Sequence, residues 1–165
     1  MSGEAAWRIT MEIQRIKSFG IDHDILMPGF YISRVDGDII TYDMRTRRPN
    51  MGDYMSDLTM HSVEHMFATY IRNSEIAANV VYFGPMGCQT GFYLLVRDVE
   101  PDKVFEISKN VLEKIIAHDG EMFGASAKEC GNYRNLSLEA AKTECKTYLE
   151  VLKAKNTQGY DYPQK

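Results

Sequence analysis

The sequence predicts an α+β fold, an antiparallel β-sheet with helices packed on one face. Three observations lead there. Short β-rich runs come in hairpin-like pairs, capped segments carry apolar residues at helical spacing, and the two kinds follow one another in an order that suits a sheet with a helical layer. Residues 1–16 are expected to be extended or disordered, and the first ten to be dispensable, because Met11 begins a segment that would serve equally well as a start. From Phe30, FYISRV and DIITYDMR flank Asp36-Gly37, a dipeptide suited to a tight hairpin turn. Alternation in the second run sends Ile40, Tyr42 and Met44 to one side and Thr41, Asp43 and Arg45 to the other. Pro49 and Gly52 break the next stretch into loop. A helix follows from about Leu58 to Arg72, with Ser56 or Asp57 as N-cap.

NVVYFG and GFYLLVR read as two further strands around GPMGCQTG, with a β-turn over Gly84-Pro85-Met86-Gly87. Pro101 suits the first position of a second helix, with Val104, Ile107, Val111 and Ile115 on one stripe and Gly120 as its terminator. Ser137 caps a third, whose apolar stripe is Leu138, Ala141, Cys145, Tyr148, Leu149 and Leu152. Residues 155–165 are expected to be a mobile tail. A sheet covered on one side leaves its other face in need of a partner, which favours a dimer.

The 165 residues fit a single domain, 1–165, long enough to bury a core. A net charge of −4 and the lack of a basic stripe argue against nucleic acid as a partner. No apolar run is long enough to span a bilayer, and the N-terminus lacks the basic-then-apolar pattern of a secretory signal, so the expected location is cytoplasmic. Cys88, Cys130 and Cys145 form no CxxC, and in a cytoplasmic chain they read as core, metal or catalytic residues rather than disulfides.

The chain has four histidines, and HSVEH (residues 61–65) places two of them four apart with a glutamate before the second. With this composition, chance supplies about 0.01 such matches. On a helix, His61, Glu64 and His65 project together, so two imidazoles can share one metal ion with a carboxylate beside it as acid–base group. The order H-x-x-E-H is that of the inverzincin hydrolases. A third ligand is needed, and His23, His118, Cys88, Cys130, Cys145 and any carboxylate are candidates. Cys145 reads better as a small buried hydrophobe on its helix stripe, and His118 as a cation complementing a helix C-terminus. Spacing alone favours Cys130 only slightly over Cys88. Cys88, at the lip of a glycine-rich turn, reads equally well as a buried turn cysteine or as an accessible thiol that a nearby cation would turn into an acid–base group.

HSVEH, GPMGCQTGFY and AKECGNYRNLSLEAAK, in this order and spacing, resemble the S-ribosylhomocysteine lyases, the LuxS-type enzymes of bacterial autoinducer-2 synthesis. SFGIDH, from Ser18 to His23, and YDMRTRRPN resemble two further segments of that family, so the likeness runs from about Lys17 to Leu152. Tyr82-Phe83-Gly84 departs from the Asp-Ile-Ser of many members, and Ser62 stands where threonine is commoner. The resemblance implies a metal bound by His61, His65 and Cys130, and Cys88 and Glu64 as catalytic acid–base pair. It implies Ser18, His23 and Arg45 around the substrate, and Fe2+ as cofactor with Zn2+ or Co2+ able to take its place. It also implies a homodimer formed through the sheets with interfacial active sites. The implied reaction is cleavage of the thioether of S-ribosylhomocysteine to L-homocysteine and 4,5-dihydroxy-2,3-pentanedione by carbonyl migration and β-elimination. An inverzincin-type metallohydrolase is the alternative.

Overall fold

The structure, a computed structural model, describes residues 12–155 and 158–165. The expectations for the first ten residues and for Met11 lie outside the described residues. Strands β1 (Gly29–Asp36), β2 (Ile39–Arg45), β3 (Val80–Pro85) and β4 (Gly91–Arg97) form one antiparallel sheet in the order β1-β2-β4-β3. Helices α1 (Asp57–Ile71), α2 (Pro101–Ala117) and α3 (Leu138–Lys153) cover one face of it. The β1–β2 hairpin closes where expected, with Asp36 opposite Ile39 and Gly37 at a φ of 62°.

The core lies between sheet and helices. Met44 pairs with Phe92 and Tyr42 with Leu94, and all four are buried against Val63, Met66 and Phe67 of α1 and the apolar stripes of α2 and α3. Phe83 stacks on Phe67 at 4.3 Å between centroids and on Phe92 at 5.2 Å, locking β3 under α1. The other face carries the alternate residues, Thr41, Asp43 and Arg45 of β2 opposite Leu95, Tyr93 and Gly91 of β4. It is less open than period-2 alternation suggests: Asp43 is fully buried and Arg45 is 2% exposed.

Part of the cover is the C-terminal tail, expected to be mobile but docked in the structure. On this face Tyr162 stacks on Tyr31 and Lys165 Nζ lies 2.8 Å from Asp22 Oδ2, while Tyr160, whose O accepts the Ile32 N–H at 2.7 Å, packs on Phe30 and Phe105 at the core side. Two tyrosines supply the apolar area that a polar tail otherwise lacks.

Ser56 caps α1 and Ser137 caps α3, each accepting a backbone N–H three residues on. Two boundaries differ from expectation. Helix α2 ends at Ala117 rather than near Gly120, because His118 turns extended (ψ 125°) while its imidazole bonds Tyr70 Oη at 2.7 Å and Glu121 O at 2.8 Å. Gly84 and Pro85 belong to β3, so the β3–β4 turn falls at Met86–Gln89, where Gln89 N–H donates to Met86 O at 3.0 Å. Pro85 is tolerated because β3 is an edge strand.

Candidate active site

His61 and His65 lie one turn apart on α1, and Cys130 comes from the loop between α2 and α3. Their ligand atoms all lie within 4.8 Å of one another. His61 Nε2 and Cys130 Sγ are 3.4 Å apart, close to the ~3.6 Å expected of an imidazole and a thiolate on one tetrahedral ion. Each imidazole is fixed by its other nitrogen: His61 Nδ1 donates to Asn135 O at 2.9 Å and His65 Nδ1 to Phe123 O at 2.8 Å. A carbonyl accepts only, so both protons sit on Nδ1 and both Nε2 lone pairs are free to bind a cation. Cys130 Sγ accepts the Asn132 N–H at 3.4 Å. These donors fit a divalent ion and leave a fourth tetrahedral position open. Glu64 is half-buried on the same helix, three residues from His61.

A second group gathers on the opposite face of the sheet. A cavity of about 300 Å³ is lined by Ser18, Phe19, His23, Arg45, Pro85, Met86, Gly87, Cys88 and Tyr93. The sequence therefore pointed to four side chains that fold into one pocket: Ser18, His23, Arg45 and Cys88. Cys88 is exposed, its sulfur 3.7 Å from Arg45 Nη1 and 3.1 Å from Thr90 Oγ1. Arg45 Nη1 also donates to Thr90 Oγ1 at 2.7 Å, and Nη2 donates to Asp43 Oδ2 at 2.6 Å. Burial works against the Arg45 charge, but Asp43, with Cys88 and Tyr162, holds its pKa above the ordinary value, so the guanidinium facing the thiol is permanent. His23 Nδ1 bonds Ile21 O at 2.8 Å, which leaves Nε2 to meet a ligand.

Tyr82 and Gly84 explain each other. A Cβ at Gly84 would lie 2.6 Å from Tyr82 Cζ, so the ring folds over a residue that has no side chain. Tyr82 stays half exposed beside Ser18 and Tyr93 in an adjoining cavity of about 320 Å³.

Cys145 and His118, set aside as ligands, stay outside both groups. Burial pushes the Cys145 thiol far up, and His118 ties Tyr70 to the loop before Phe123. Sequence reasoning missed Asp43, Thr90, Gly124 and the two carbonyls. Only Asp43 had a signal, its placement two residues before Arg45 on one strand face.

Two helix-borne imidazoles and a loop cysteine that could hold a metal ion, on an α+β sheet whose other face carries a second thiol beside an arginine, are the two side-chain groups this fold presents. Comparison with known proteins makes this specific. The family model described as S-Ribosylhomocysteinase (LuxS) matches residues 16–158. An S-ribosylhomocysteine lyase of Finegoldia magna is 41% identical over 157 residues, covering 92% of this chain and 100% of the relative. One of Borreliella burgdorferi is 39% identical with the same coverage, and one of Clostridium beijerinckii is 41% identical over 143 residues, 83% of this chain and 90% of the relative. The chain belongs to the LuxS family.

Proposed function

We propose that the chain is a metal-dependent lyase that cleaves the thioether of S-ribosylhomocysteine to L-homocysteine and 4,5-dihydroxy-2,3-pentanedione, the precursor of autoinducer-2. The observation that carries this reading is the convergence of His61, His65 and Cys130 in a chain whose relatives bear that lyase name. His61 Nε2, His65 Nε2 and Cys130 Sγ would hold the ion. We assign ferrous iron, and zinc or cobalt suit the same donors. When bound, a divalent cation supplies Lewis-acid stabilisation to the negative charge that develops on the sugar oxygens.

The chain's own groups move the protons. Glu64 and Cys88 take a proton from one sugar carbon and return one to its neighbour, which shifts the carbonyl from C1 to C2 and then to C3. Removal of the C4 proton, acidified by the C3 carbonyl, then breaks the C5–S bond. The bonding pair leaves on the homocysteine sulfur, which is protonated to the thiol. Arg45 Nη1 faces the Cys88 sulfur at 3.7 Å. Ser18 and His23 hold the hydroxyls or the homocysteine end.

We place this site in a cytoplasmic homodimer formed through the sheets. Phe19 is 65% exposed and Tyr82 51% exposed beside the Cys88 cavity, and a second copy seated on this face would cover them and close the cavity to water. All three cysteines are free, as a reducing compartment maintains them. In the inverzincin alternative Glu64 would activate water against a peptide, and the thiol pocket would have no task.

An anaerobic assay for homocysteine release by iron-loaded protein tests the proposal. Cys88→Ala should lower turnover at least about 100-fold with unchanged iron content. Full activity in that variant would remove Cys88 from the mechanism, and peptide cleavage without thiol release would favour the hydrolase.

A further inference from the structure

We propose that Tyr162, in the C-terminal tail, is a positioning residue for Cys88: its hydroxyl seats on Asp43 and fixes the Asp43–Arg45 pair that presents a guanidinium to the Cys88 sulfur. This inference rests on the acid–base role proposed for Cys88. Tyr162 Oη donates to Asp43 Oδ2 at 2.7 Å, the same oxygen that accepts from Arg45 Nη2 at 2.6 Å. Arg45 Nη1 then reaches Thr90 Oγ1 at 2.7 Å and Cys88 Sγ at 3.7 Å. One carboxylate oxygen and one guanidinium therefore connect the tail to the thiol.

The pair has few other fixings. Asp43 and Arg45 are buried, and Asp43 Oδ1 and Arg45 Nε make no hydrogen bond among the described residues. Each donor on Oδ2 therefore carries a large share of the geometry. The Tyr162 ring is itself held, stacked on Tyr31 at 5.0 Å and 23°. Three residues on, Lys165 pairs with Asp22, the neighbour of His23 in the Cys88 cavity. Burial and then the Asp43 charge push the Tyr162 phenol far above the ordinary tyrosine value, so it remains a donor.

The other titratable groups facing the pair are Tyr31 from β1, Tyr93 from β4 and Tyr148 from α3, all raised first by burial and then by Asp43 and so neutral at working pH. His23 faces the cavity from the N-terminal segment. A hydroxyl on Oδ2 disperses the carboxylate charge, so more of the guanidinium field reaches the sulfur. Without it, Asp43 opposes that field more strongly and the thiolate is less favoured.

The test uses the full-length, metal-loaded protein. Iodoacetamide alkylation of Cys88, located by peptide mass, is followed against pH beside kcat and KM for homocysteine release. Tyr162→Phe should move the alkylation midpoint up by about 0.3–1 pH unit, reflecting a less favoured thiolate. It should lower kcat several-fold and leave KM within about twofold. Tyr31→Phe, which removes a hydroxyl that donates to Met27 O, should change neither the midpoint nor kcat. Replacing Tyr162 with 3-fluorotyrosine, a stronger donor of nearly the same shape, should move the midpoint down and serves even where the phenylalanine variant does not fold. An unmoved midpoint, or equal shifts in the Tyr162 and Tyr31 variants, overturns the proposal. Turnover retained in Cys88→Ala would instead refute the acid–base role, while the midpoint still decides whether Tyr162 acts on the thiol.

Discussion

His61 and His65 each pass Nδ1–H to a loop carbonyl, and those two hydrogen bonds turn both Nε2 atoms toward Cys130. Gly124 makes one of them possible. Its φ is +65°, and a Cβ there would lie 2.9 Å from His65 Nδ1, so only glycine lets Phe123 O approach the ring without strain. Gly124→Ala should therefore weaken metal binding by about 10–100-fold, as loss of an outer-shell partner does. Competition with a chromophoric chelator measures this, and unchanged affinity would show that the carbonyl does not orient His65. The spacing of HSVEH was enough to bring His61 and His65 together on one helix face. Cys130 stayed one candidate among several because residues 118–136 have no periodicity, and a backbone carbonyl has no side-chain signature to read.

At the scale of elements, α1 holds the site because it is tied to α3 as well as to the sheet. Ser62 is fully buried, donates to Leu58 O at 2.6 Å and accepts the Ser137 N–H at 2.8 Å, joining the middle of α1 to the cap of α3. Arg47, in the loop after β2, ties α3 to that loop, with Nε and Nη2 on the two oxygens of Glu144 at 3.1 and 2.6 Å. Ser62→Ala would strand a donor at the α3 cap and should cost about 1–3 kcal/mol. In a chain of this size that lowers Tm by roughly 2–4 °C per kcal/mol, and an unaltered melting curve would contradict the tie.

Helix starts were legible because Ser56, Pro101 and Ser137 act locally. The end of α2 was not, since His118 is held by Tyr70, 48 residues away in sequence, rather than by Gly120. The β3–β4 turn was read two residues early because Gly84-Pro85 resembles a turn, although Gly84 is there to accommodate the Tyr82 ring.

For the molecule as a whole, one sheet serves two surfaces. Its helix-covered face builds the core on which α1 places His61 and His65, and its other face carries Asp43, Arg45 and the Cys88 cavity. Alternation in TYDMR announced both faces, but not that the tail would bury the second, because Tyr162 meets Asp43 across 119 residues of sequence. Among the described residues, no helix is long and apolar enough to cross a membrane. The claim on which the rest depends is that His61, His65 and Cys130 bind one divalent cation. The most direct measurement is the absorption spectrum of cobalt(II)-loaded protein, together with its cobalt content. Wild-type protein should bind one cobalt per chain and show a thiolate-to-cobalt charge-transfer band that disappears in Cys130→Ala and persists in Cys88→Ala. A band untouched by loss of Cys130, or removed by loss of Cys88, would contradict it.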